Sequence, residues 1–154
     1  MNGGFLALTT GGGTVRIVPR EGQLQVEEVY FSVKNPTAIG SVVKLGDHLY
    51  GTTGGAMVCL DLKIGKVLWE ERALGPASLL YADDRIYLHG ENGEVALVEP
   101  STEGYRQKGR FTPTDQPPHT RGQMEKAWAY PALANGRLYI RDHNVLWCYD
   151  VKVR

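Results

Sequence analysis

An excess of charge of either sign is the first thing missing from this chain. Its 154 residues carry 17 Lys and Arg against 17 Asp and Glu, a formal net charge of zero. Binding a phosphate backbone rests on a surplus of basic side chains, so no nucleic-acid partner is expected. No apolar run approaches the ~20 residues that cross a bilayer as a helix, and no membrane span is expected. Residues 1–8 hold neither a basic segment nor a long apolar one, so no signal peptide is expected. There is no G-x-S-x-G elbow, no Walker loop and no C-x-x-C pair. The four histidines, His48, His89, His119 and His143, share no ligand spacing, and no metal site is expected. Asp142-His143-Asn144 reads as a hairpin turn rather than a catalytic cluster. Helical periodicity with credible caps is absent as well.

What the chain does have is a repeat, and a repeat decides the fold before any single residue does. Leu49-Tyr50 is followed by Gly54, Asp61 and Gly65. In the same frame stand Leu6-Ala7 with Gly11 and Gly22, then Ile86-Tyr87 with Gly93 and Glu99, then Leu138-Tyr139 with Asp150. Spacings near 40 residues, filled with short apolar runs between Gly, Asn and Asp, are the range of propeller blades built from strands. The repeats fall at about 1–45, 46–82, 83–134 and 135–154, in a single domain over 1–154.

Fourteen strands are predicted, at 5–10, 14–19, 25–32, 41–45, 48–52, 56–61, 66–72, 78–82, 85–89, 94–99, 105–111, 128–134, 137–141 and 145–150. Turn chemistry separates them at Gly46-Asp47, Asp83-Asp84, Asn92-Gly93 and Asn135-Gly136, where positive φ is tolerated. Gly11-Gly12-Gly13 reads as a further turn. At four strands to a blade this is three and a half blades of an all-β, partial β-propeller. Such an arc leaves blade faces bare, whereas a closed ring hides them. The expectation is therefore self-association, two copies supplying seven blades' worth of strands, or completion by the remainder of a larger propeller. A compact four-bladed ring requires residues 1–10 to complete the last blade. An irregular β-sandwich is the bland alternative. WD and kelch repeats fit less well, since no Trp-Asp dipeptide occurs and the Gly-Gly pairs hold no regular frame.

The run Cys59-x-Asp61-x-x-x-Gly65-Lys66-x-x-Trp69 resembles the A-x-D-x-x-T-G-x-x-x-W repeat of the pyrroloquinoline quinone (PQQ)-like, quinoprotein-type propellers. Leu49-Tyr50, Ile86-Tyr87 and Leu138-Tyr139 resemble the strand before it, and residues 103–111 resemble a stretch in the C-terminal part of large members. The resemblance implies a propeller, commonly eight-bladed, often exported. The chain departs from the pattern at Ile64, at Val26 where Trp69 stands in the neighbouring repeat, and near Lys108, where no Trp appears. Read physically, the motif is structural. Asp61 binds backbone N–H groups in a turn, Gly65 takes positive φ, and Trp69 covers the gap between blades. Glu99 and Asp150 are turn residues at the Asp61 position, and Tyr50, Tyr87 and Tyr139 are packing residues.

PQQ-dependent dehydrogenases of this family use adjacent cysteines, a calcium ion and a catalytic Asp. This chain matches none of these, and PQQ with calcium enters only if it is a fragment of such an enzyme. Cys59 and Cys148 occupy matching positions in different repeats, too far apart for the ~7 Å that a disulfide allows between Cα atoms. Both are expected to be buried free thiols. The remaining function classes are a non-catalytic binding or assembly scaffold and a repeat unit that self-associates. Asn35, Arg72 and Trp128, each just before an innermost strand, are candidates to line a ligand at the channel mouth. The Pro-rich insertion at 112–126 is the candidate for a contact with a protein partner.

Overall fold

Period-two patterning and closely spaced turns drive the chain into short strands. The computed structural model describes residues 3–8, 11–36, 40–117, 127 and 129–152, and these form fourteen strands and no helix. The strands are β1 (Gly3–Leu8), β2 (Gly11–Arg20), β3 (Gln23–Ser32), β4 (Val42–Leu45), β5 (His48–Thr52), β6 (Met57–Asp61) and β7 (Val67–Glu71). They continue with β8 (Ala77–Ala82), β9 (Arg85–Gly90), β10 (Val95–Glu99), β11 (Arg106–Phe111), β12 (Ala132–Ala134), β13 (Arg137–Asp142) and β14 (Val145–Asp150). All pair antiparallel in sequence order, as four separate sheets: β1–β3, β4–β7, β8–β11 and β12–β14. This is a partial β-propeller. The strands divide three, four, four and three, so among the described residues the half blade of the strand count is shared between the two end sheets. Two copies would bring eight sheets, not seven whole blades.

Two of the four expected turns carry the full type I′ backbone, while at Gly46-Asp47 and Asn92-Gly93 only the glycine takes positive φ (60° and 82°). Asp83 and Asp84 both take positive φ (49° and 55°), as do Asn135 and Gly136 (53° and 71°), the pattern of a type I′ hairpin. One sequence expectation fails here. Gly11–Gly13 is not a turn but the first part of β2, paired with β1 throughout and with β3 from Gly12 onward. Gly11 and Gly13 stand there because β3 passes too close for a side chain: a Cβ on Gly13 would lie 2.2 Å from the Tyr30 carbonyl oxygen. The alternative of a four-bladed ring needed the N-terminal residues in the last blade, whereas β1 pairs with β2 along Gly3–Leu8.

The core lies between blades. Tyr50, Met57 and Cys59 of the second sheet pack against Ala77, Leu79, Ile86, Leu88, Ala96 and Val98 of the third. Tyr87 and Val95 on the other side of the third sheet pack against Leu138 and Ile140 of the fourth, with Trp147 and Tyr149 beside them. Each fully buried Leu, Ile or Val contributes on the order of 1.5–3 kcal/mol, so these two apolar seams hold the sheets face to face.

Candidate functional site

The sites of this fold are its seams and the bare faces that end the stack. At the seam between the second and third blades, register puts Tyr50 opposite Cys59 and Cys59 opposite Trp69. Trp69 lies between Tyr50 and Tyr105, with ring centroids 6.2 Å away on each side. Its indole N–H donates to the Ser101 carbonyl at 2.7 Å, in the turn after β10. Burial pushes the Cys59 thiol and the Tyr50 hydroxyl above their ordinary pKa values. Cys59 is thus a neutral core residue, not a nucleophile.

Asp61 closes the turn before β7. Its carboxylate accepts the amides of Lys63 (2.8 Å) and Ile64 (3.2 Å), and Gly65 donates to the Asp61 carbonyl with φ of 71°. Asp150 accepts the Lys152 amide at 3.1 Å in the same way. Glu99 differs. Its turn is organised by the Ser101 hydroxyl, which accepts the Glu103 amide at 3.1 Å, while the Glu99 carboxylate faces Lys108 (2.9 Å), Arg106 (3.4 Å) and Arg85 (4.0 Å). The hydrogen bond from Lys108, first among these contacts, holds its pKa below the usual carboxylate range.

Tyr30 is a seam residue that sequence reasoning missed. The frame pointed to Val26, but β2 and β3 are ten residues long, where the other strands have three to six. That length shifts which residue meets the next blade. Tyr30 and Thr14 both donate to the Leu62 carbonyl, at 2.9 and 3.2 Å, and tie the first blade to the turn of the second. Tyr30→Phe is expected to lower stability by about 1 kcal/mol, the usual worth of one such bond. Urea denaturation of the two proteins side by side measures it.

Near the innermost strands, Thr52 and His89 do equivalent work. The Thr52 hydroxyl donates to the Ala77 carbonyl at 3.0 Å, and His89 Nδ1 lies 3.0 Å from the Ala129 carbonyl, each linking one blade to the start of the next. Asn35 is fully buried in the segment between β3 and β4, and its amide donates to the Gly12 carbonyl at 2.9 Å. Arg72 is exposed, directly after β7. Trp128 lies outside the described residues, as does most of the 112–126 insertion. Of that insertion Thr114 is described, and its carbonyl accepts the Trp147 indole N–H at 2.8 Å.

Among the described residues no further sheet covers the two end faces, and both carry exposed apolar side chains. Along β2 and β3, Ile17 pairs with Val26 and Pro19 with Leu24, on the face turned away from the second blade. Leu24 is 74% exposed, Val26 67%, and Val33 just beyond them 69%. At the other end, Tyr139 pairs with Cys148 and Arg141 with Leu146, on the face opposite to Leu138, Ile140, Trp147 and Tyr149. Leu146 is 65% exposed. Cys148, expected to be buried, is exposed. Its place in the sheet is that of Cys59, opposite a tyrosine of the second strand, but no described blade lies over it.

The two cysteines stand in different sheets, and among the described residues no three His, Cys, Asp or Glu side chains converge on a point that could hold a metal ion.

No protein-family model matches the sequence, and no curated protein matches it. In three dimensions the chain is similar to the crystal structure of BamB from Moraxella catarrhalis, with a TM-score of 0.61 at 16% identity. The match covers 97% of this chain and 46% of that one, so the chain spans a little under half the length of the structure it resembles. At this identity the likeness concerns the fold alone, a run of β-propeller blades.

Proposed function

We propose that this chain is a non-catalytic sector of a PQQ-like β-propeller that serves as a binding and assembly scaffold, closed into a ring by a second copy or by further blades of a larger protein. The observation that carries this reading is the pair of bare faces. One presents Ile17, Leu24 and Val26, the other Tyr139, Leu146 and Cys148. Each has the alternation that elsewhere in the chain is buried against a neighbouring sheet. Contiguous exposed apolar surface of this kind marks interaction sites. The first blade's face and the last blade's face are different surfaces, so copies would meet head to tail. Such contacts form a closed ring when the rotation per copy divides the circle. The Asp61–Gly65–Trp69 frame supports the PQQ-like label. The similarity to just under half of a longer propeller chain supports the sector. The scaffold role is supported by the apolar seams that pack blade on blade and by the exposed apolar residues of the end sheets.

Mass in solution tests it. The chain weighs 17.0 kDa, and light scattering is expected to find a multiple of that. Val26→Glu places a charge at the centre of the bare first face, where it disturbs no internal contact, and is expected to weaken association at least ~tenfold, about 1.4 kcal/mol. A monodisperse monomer that binds no hydrophobic dye and is unchanged by Val26→Glu would overturn the reading.

A further inference from the structure

The seam between the third and fourth blades repeats the preceding one, with one part left out. Tyr87 lies opposite Leu97, and Leu97 opposite Gly109, the register of Tyr50, Cys59 and Trp69 one blade earlier. Gly109 therefore stands where Trp69 stands. A Cβ built on it meets only the Leu97 Cβ, at 4.0 Å, and its φ is not in the left-handed region. The volume that an indole fills at the earlier seam is a cavity here. It measures about 240 Å³ and is walled by Tyr87, Leu97, Gly109, Phe111, Leu138 and Val151. Phe111, at its outer rim, is fixed edge-on against Tyr149 with centroids 4.9 Å apart. Arg110 beside it is held by two bonds to Glu94 and one to the Ala73 carbonyl at 3.2 Å. That hydrogen bond to Arg110 holds Glu94 below the usual carboxylate range, so the one charge at the rim is already paired.

We infer that this cavity is a binding site for a small, flat, neutral aromatic molecule of one or two rings, with indole as its natural measure. Four observations converge on that chemistry. The walls are almost wholly apolar, so a charged or strongly polar ligand would lose hydration without return. Two of the wall residues are aromatic, and offset or edge-on ring contacts add about 0.5–1.5 kcal/mol beyond area. Apolar cavities of ~150 Å³ lined by aliphatic and aromatic groups take up benzene, and this cleft, larger and half open to solvent, has room for a second ring. Finally, the equivalent place one blade earlier holds an indole of the chain's own, between two tyrosine rings. The site is distinct from the bare end faces and does not depend on ring closure.

Indole is the probe. Calorimetric titration into the full chain is expected to give saturable binding at one site per chain, with amide NMR shifts concentrated at Tyr87, Leu97, Gly109 and Leu138. Gly109→Trp supplies the missing side chain, and is expected to raise Tm and to reduce indole affinity at least ~tenfold. Gly109→Leu, which fills less of the space, should reduce it by a smaller factor and serves if the tryptophan variant does not fold. Failure of indole to bind the wild-type chain, equal binding to wild type and the filled variants, or shifts mapping to Val26 and Leu146 instead, would each overturn the assignment.

Discussion

Trp69→Ala is expected to lower the unfolding free energy by about 3 kcal/mol, the lower end of the range for removing a large aromatic from a packed site. The indole does three things at once. It fills the space between the second and third blades, it makes a tilted ring contact with Tyr50 and an edge contact with Tyr105, and it satisfies the Ser101 carbonyl at 2.7 Å. Alanine removes all three and leaves a carbonyl in the seam that has lost its donor. In a protein of this size ~3 kcal/mol corresponds to a fall in Tm of roughly 6–12 °C. Trp69→Phe separates the contributions: it keeps most of the ring contact and loses the bond, so its cost should fall nearer ~1–2 kcal/mol. Blades in a stack are stabilised by nearest neighbours. The alanine variant should therefore also show a broadened transition as the two halves of the stack uncouple. An alanine variant within 0.5 kcal/mol of wild type by urea denaturation would mean that the seam is held by the apolar strands alone.

The contrast with Gly109 shows what was legible in the chain and what was not. The strand count and the turns at Asp83-Asp84 and Asn135-Gly136 follow from period-two patterning and from residues that tolerate positive φ. Both are local properties, and the structure reproduces them. The seam between the third and fourth blades was not legible for a specific reason. Asp61 and Trp69 are eight residues apart, whereas Glu99 and Gly109 are ten apart, because the turn at Ser101 is longer. Reading at fixed spacing therefore searched near Lys108 for a tryptophan and registered a departure from the pattern. Only pairing across the sheet identified Gly109 as the equivalent position and the departure as a cavity. Tyr30 escaped for a similar reason: a bulge between Thr14 and Val15 and the extra length of β2 and β3 displaced the frame. The environment of Cys148 was beyond sequence reasoning altogether. Its position in the sheet was right, but burial depends on which sheet comes next, and the strand pattern is silent on that.

A single methyl group at Gly40 is expected to be more damaging than the loss of the whole Trp69 ring. Gly40 lies where the segment entering β4 crosses the start of β8, and its carbonyl accepts the Leu79 amide at 2.9 Å. Its φ is 88°, and a Cβ there would sit 1.9 Å from the Ala77 carbonyl oxygen, 2.8 Å from that carbonyl carbon and 3.1 Å from the Thr52 hydroxyl. The first two are backbone atoms of an innermost strand. They cannot turn aside as a side chain can, so relief requires moving β8 and breaking the bonds from Thr52 to Ala77 and from Leu79 to Gly40. Gly40→Ala should therefore cost about 4 kcal/mol or more, in the class of effects that need a named structural cause. Gly46→Ala supplies the control. Gly46 also has positive φ, 60°, but nothing lies within 4 Å of its Cβ position. That variant bears only the left-handed backbone penalty of ~1–2 kcal/mol. The difference between the two, read from chemical denaturation, isolates the close approach of the second and third blades at their inner strands. Equal losses would mean that backbone conformation, rather than the crossing of Gly40 over Ala77, governs both positions, and that the inner strands can separate without penalty.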